Sequence, residues 1–347
     1  MTPSRIDKAY DIAKAMLYEG YMLYPYRASA AKNRHRCTFG TLYPEQHPEV
    51  LRGAEPCRNE TQCLVNGTPS STITARVRFL HMRSRLVEAC APGTGNQFRP
   101  VDALTIGAQI HQSWDESVER MVELELQLAE LLNCPRTVAF EFPSSLEVSD
   151  LLDPVGKLVA RIRRAQLPVT GIIRLSVEQL LQTSFRLSVE VRNTTPCLPV
   201  DDRPSVLLSW FASAHTILGV RDGEFVSLLD PPADRREAAA SCKNIGVYPV
   251  LVGEPGEHDV ILSSPIILYD YPQIAPESAG DFFDAAEMDE MLTLRVMTLT
   301  DGEKSAMRNC DGRVRELLER TEATARQQLT RTHGAVRGLR PLKDDST

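Results

Sequence analysis

Apolar residues recur at helical spacing near the start of the chain. Ile6, Ala9, Tyr10, Ala13, Met16 and Leu17 share one face, which predicts an amphipathic helix opening near Ser4 and ending by Gly20. The period then changes to two. Between Thr72 and Met82, Ile73, Ala75, Val77 and Phe79 alternate with Thr74, Arg76, Arg78 and Leu80, the pattern of a half-buried strand. Phe185 to Arg192 repeats it with Phe185, Leu187, Val189 and Val191 inward, and Gly171 to Glu178 supplies an antiparallel neighbour. Glu116 to Leu132 fits a helix and alternating strands almost equally, and strand is the reading adopted. Tyr21 to Arg27, broken by Pro25, reads as extended, and the basic stretch Ser29 to Arg36 as a loop.

After Pro204 the pattern shifts. The apolar run Ser205 to Leu218 reads as a buried helix, Glu224 to Leu229 and Gly246 to Val252 as short strands, and Leu251 to Glu257 as a hairpin-like turn. Asp284 to Met297 and Asp301 to Arg320 read as two helices, with Asp301 the N-cap of the second. The expected class is α+β: an antiparallel sheet or sandwich core with an N-terminal helix and C-terminal helices. The expected organisation is a helix plus β-rich domain over 1–200, a mixed region over 201–329 packing on it, and a disordered tail over 330–347.

The chain has 347 residues, 42% of them hydrophobic, enough for a substantial core. It opens without an apolar stretch of the roughly 7 to 15 residues a secretory signal needs, and contains no run of about 20 apolar residues. A cytoplasmic protein without membrane insertion is the expectation. The first 100 residues carry 14 Lys and Arg against 8 Asp and Glu, and the remainder 25 against 38, so a basic third at +6 is joined to an acidic remainder at −13. That balance argues against general nucleic-acid binding and is compatible with a basic face meeting an acidic protein or an anionic ligand.

Eight cysteines are scattered without a Cys-x-x-Cys pair, so neither a zinc ribbon nor a dithiol is indicated. Cys57 and Cys63 with His35, His47 and His81 form a loose set without metal-site spacing. The acids Glu277, Asp281, Asp284 and Glu287 are the candidate hard-cation ligands, against the alternative that acids gather at a helix start to complement its dipole. His215 lies among Ser209, Ser213 and Asp230, but no Gly-x-Ser-x-Gly elbow is present to present a nucleophile. Pro92 to Pro100 lacks the ending of a phosphate-binding loop. No cofactor is expected.

LYEGYMLYPYRASAAKNRHRCTFG, from Leu17 to Gly40, concentrates tyrosines and basic residues in the manner of a protein interface. Tyr21, Tyr24, Tyr26, Arg27, Lys32 and Arg34 are the candidate partner-binding residues, with core packing the competing account of the tyrosines. Three stretches carry a resemblance: Leu17 to Pro44, Thr61 to Met82 (TQCLVNG leading to TARVRFLHM), and Tyr248 to Lys304, which begins YPVLVGEPGEHDVILSSPIILYDYPQIAPESAG. They resemble a bacterial family encoded among the accessory genes of oxygen-tolerant, actinobacterial-type nickel-iron hydrogenases. The resemblance covers the two ends of the chain and carries over a context but no site. It implies a non-catalytic accessory protein that assists hydrogenase maturation or assembly by binding a hydrogenase subunit or maturation protein. The rival expectations are a metal-assisted hydrolase or processing enzyme using the acids of 277–290 with His215 or His258, and a permanent structural subunit of a larger complex.

Overall fold

The computed structural model describes residues 40–91, 97–107, 109–197 and 206–273, together with 6, 9, 10, 12–14, 304, 315 and 318. The molecule is organised around β1, a 33-residue strand from Arg58 to Cys90. β2 (Phe98–Val101), β3 (Ala103–Ile106), β4 (Gln109–Gln112), β5 (Trp114–Gln127), β6 (Arg136–Phe142) and β7 (Ser145–Leu152) follow. β8 (Leu158–Gln166), β9 (Val169–Leu181), β10 (Ser184–Asn193), β11 (Ala212–Val226), β12 (Tyr248–Leu251) and β13 (Val260–Ser264) complete the strands. All but β3 and β4, which pair with each other, join one 11-stranded antiparallel sheet.

β1 is long because different partners take it up in turn. Along one side it pairs with β10, then β5, then β2; along the other with β11, then β8. The exposed stretch Thr68 to Ser70 marks the change of partner, where the register to β11 shifts between Gly67 and Thr72. The two-residue period of β1 is kept on both sides of that interruption. Cys63, Val65, Ile73, Ala75, Val77 and Phe79 enter the main core, where Phe185, Leu187, Val189 and Val191 of β10 and Ile173 and Leu175 of β9 meet them. A helical turn over Leu128–Asn133 plugs this core with Leu128 and Leu131. Phe79 stacks on Phe211 with ring centroids 4.2 Å apart, and Phe140 and Phe142 complete the aromatic cluster.

The paired strands expected at 171–178 and 185–192 are the adjacent β9 and β10, and the strand at 72–82 lies inside β1. The segment 116–132 is a strand to Gln127 and a helical turn after it. Leu251 to Glu257 turns the chain from β12 to β13, with Glu257 N–H donating to the Glu254 carbonyl at 2.9 Å.

The α+β expectation is overturned: strands account for 58% of the described residues and helices for 12%, in one large antiparallel sheet. The buried helix expected over Ser205 to Leu218 is the main departure, since its second half, from Ala212, belongs to β11. Its residues Ala212 to Val220 are buried without a break, because both faces of the strand are covered. One face meets the main core, while Ile217 packs with Val250, Val252, Val260 and Leu262 beneath helical Ile6, Ala9, Ile12 and Ala13. A strand buried on both faces loses its polar alternation and cannot be told from a buried helix by period. The C-terminal helices expected at 284–297 and 301–320 lie outside the described residues, apart from Lys304, Arg315 and Leu318.

Gly171 on β9 sits opposite Phe140 on β6. A Cβ there would meet Phe140 Cζ at 2.4 Å and the Arg192 carbonyl oxygen at 3.0 Å. Gly171→Ala should therefore destabilise the protein by about 1–3 kcal/mol, read as a lower urea midpoint at unchanged slope.

Candidate functional site

Two features of the far end of the sheet, where β1 leaves the main core, concentrate chemistry and exposure. The first is a charged ladder. Register sets Arg83 of β1 opposite Glu116 of β5, Arg85 of β1 opposite Arg164 of β8, and Arg164 opposite Glu147 of β7. These side chains share one face, since residues two apart on a strand point the same way. Two arginines directly opposite each other repel unless a carboxylate lies between them. Glu116 takes that place. It accepts from Arg83 Nη2 at 2.6 Å and from Arg164 Nε at 3.1 Å, with Arg85 Nε 3.4 Å away, and Arg85 also donates to the Gln112 carbonyl at 2.7 Å. Glu147 lies 3.6 Å from both Arg83 Nη1 and Arg164 Nη1, outside hydrogen-bond range, and is 58% exposed.

Behind the ladder, Arg120 donates to Gln166 Oε1 at 2.8 Å and lies 4.8 Å over the Phe142 ring, with no carboxylate partner among the described residues. Burial and then the Arg83 charge push its pKa down. His81 is fully buried, with neither ring nitrogen hydrogen-bonded. Burial, and next the Arg120 guanidinium, push its imidazole down to about 4, against a smaller opposing pull from the Leu167 backbone. His111 is lowered by burial and then by Arg85.

The second feature is β7. It hydrogen-bonds to β8 alone among the described residues, so its other edge presents unpaired backbone groups. It carries Leu146, Val148 and Leu152 at 61%, 49% and 55% exposure, followed by Val155 at 87% in the turn to β8. That turn is held by Asp153, whose Oδ1 accepts from the N–H groups of Val155 and Lys157 at 3.0 and 2.8 Å, with Gly156 at φ +83°.

On the opposite face of β1 lies a buried pair. Arg78 is 1% exposed, donates to Glu119 at 3.1 Å and sits 4.1 Å over the Tyr10 ring. Its cross-strand partner is His215. An extra residue in β11, with Ser213 at φ +53°, bulges the strand beside it. His215 Nδ1 lies 2.8 Å from the Ser213 carbonyl oxygen, which can only accept, so the proton is on Nδ1 and Nε2 is bare and unpartnered. Burial, with Arg78 second, pushes His215 down to about 3, so the imidazole is neutral near neutral pH.

The structure does not assemble the Ser, His and Asp set. His215 is committed to a backbone carbonyl, and Asp230 is exposed at the end of a turn capped by Ser227. Cys63 is buried in the main core, where desolvation raises its thiol pKa, and His47 instead caps the helical turn Pro48–Leu51, accepting from Glu49 N–H. Among the described residues no three His, Cys, Asp or Glu side chains are placed to hold a metal ion. Tyr21, Tyr24, Tyr26, Arg27, Lys32 and Arg34 lie outside the described residues, as do Glu277, Asp281, Asp284 and Glu287. No described helix is long and apolar enough to cross a membrane.

No family model matches the chain, and no curated protein matches it. Among solved structures, the Salmonella SPI-1 type III secretion injectisome secretin InvG, in its open gate state, aligns with 72% of this chain and 70% of that chain. The identity is 8% and the TM-score 0.13, a likeness that carries no argument about fold or function.

Proposed function

We propose that the chain is a non-catalytic cytoplasmic accessory protein of nickel-iron hydrogenase maturation or assembly, which captures a hydrogenase subunit or maturation protein as an extended segment added to the outer edge of β7. The observation that supports this reading most is the open apolar edge itself. A strand paired on one side, with Leu146, Val148 and Leu152 exposed, offers main-chain hydrogen bonds for affinity and side-chain contacts for selectivity. Natural edge strands are usually blunted by lysine, proline or a bulge; β7 contains neither lysine nor proline, and its register irregularity falls only at its end, between Leu151 and Leu152. The hydrogenase context comes from the resemblance at the two ends of the chain.

The test is affinity capture from the native host under hydrogenase-producing conditions, comparing the parent chain with a Leu146→Lys, Val148→Glu double variant. Both side chains are exposed, so the variant should keep the parent's unfolding midpoint. The parent is expected to retain an identified hydrogenase subunit or maturation protein, and the variant to lose at least about tenfold of it, a loss of about 1.4 kcal/mol. Equal retention by a folded variant would remove β7 from the account.

A further inference from the structure

We infer that the charged ladder binds a small tetrahedral oxyanion of the phosphate type between Arg83 and Arg164, at the place now faced loosely by Glu147. Among the described residues, four guanidinium groups, Arg83, Arg85, Arg120 and Arg164, gather on this face with two carboxylates, Glu116 and Glu147, an excess of two positive groups over negative ones. The protein as a whole carries −7, so this concentration runs against its overall balance.

Neither carboxylate removes the excess. Glu116 is engaged by three arginines already. Glu147 comes no nearer than 3.6 Å to either guanidinium, and Arg120 has only an amide oxygen and a ring face. Burial is the larger cause of the lowered pKa at Arg120, His81 and His111, and the second cause in each case is a cation of this cluster: Arg83 at Arg120, Arg120 at His81 and Arg85 at His111.

Access decides where an anion would sit. The side chains of Arg83 and Arg164 are 26% and 21% exposed, so solutes reach them, whereas His81 is sealed. The Nη1 atoms of both arginines point at the same carboxylate from beyond hydrogen-bonding distance. Phosphate carries about two negative charges and has oxygens spaced to accept from both guanidinium groups at once, the geometry arginine serves best. Its arrival would displace the exposed Glu147 side chain and put about two negative charges in the place of one.

The experiment is isothermal titration of the full chain with inorganic phosphate at neutral pH and constant ionic strength, for the parent, Arg164→Gln and Glu147→Gln. The parent should bind one equivalent saturably. Arg164→Gln should weaken binding about tenfold or more, and Glu147→Gln, which removes the competing carboxylate at an exposed position, should tighten it about threefold or more. The tightening is distinctive when it comes with saturation at one equivalent, because a diffuse attraction of anions to surface cations does not saturate at a fixed stoichiometry. Absence of saturable binding by the parent, unchanged or weaker binding by Glu147→Gln, or full binding by a folded Arg164→Gln would each overturn the inference.

Discussion

Glu116→Gln should unfold at markedly lower urea than the parent chain, with a loss of about 3 kcal/mol, because one carboxylate holds three arginines that would otherwise face one another. Glutamine keeps the shape and can still accept hydrogen bonds, so the loss isolates the charge. Without it Arg85, 5% exposed, and Arg164 stand opposite each other across β1 and β8 with no anion between them. A deeply placed cation deprived of its partner retains its desolvation cost, whereas an exposed pair such as Arg221 with Glu125 is worth a small fraction of that. The check is equilibrium unfolding of Glu116→Gln beside Glu125→Gln. The first should lose about 3 kcal/mol and the second less than about 0.5 kcal/mol. Equal, small losses would mean that the ladder is a solvated surface rather than an organising element.

Acid should weaken the fold well before the carboxylates are fully protonated, and the cause should be traceable to two histidines. His81 and His215 are held neutral in the folded protein, at about 4 and about 3, against an ordinary value of 6.5 in the unfolded chain. Between those limits the unfolded chain binds more protons, so stability rises with pH and is lost as pH falls from about 7 toward the folded values. Below them both states are protonated and the dependence ends. At pH 5 each histidine costs about 2 kcal/mol relative to neutrality. Urea unfolding at pH 7 and pH 5 should show the loss in the parent, and replacing His215 by a neutral residue should remove about half of it even though that variant is weaker at both pH values. A pH dependence unchanged in both His81 and His215 variants would contradict these assignments.

The alternation of β9, β10 and the 72–82 part of β1 was legible because one face of each enters the main core and the other carries polar residues. Ile73 to Phe79 and Phe185 to Val191 announce themselves by alternation. β11 was hidden by its burial on both faces, a property of what covers it and not of its own residues. The β7–β8 hairpin had a faint signal in the Asp153-Pro154-Val155-Gly156 turn between two short apolar-polar stretches, but its pairing with the end of β1 could not be read from period. The ladder was illegible for a related reason. Arg83, Glu116, Glu147 and Arg164 are up to 81 positions apart, and only the register of four strands sets them on one face. Arg76 and Arg78 were seen as a polar stripe, yet one pairs with Glu123 near the surface while the other is sealed between Glu119, Tyr10 and His215. What separates them is the covering layer over that part of the face.

Hydrogen exchange of the backbone amides from Ser145 to Leu152, in the free chain and in the complex captured from the host, reads whether the partner pairs with β7. Added main-chain hydrogen bonds along the outer edge of β7 predict slowed exchange at alternate amides of that strand on partner binding. Unchanged β7 exchange in a complex that contains the hydrogenase partner would contradict capture at this edge.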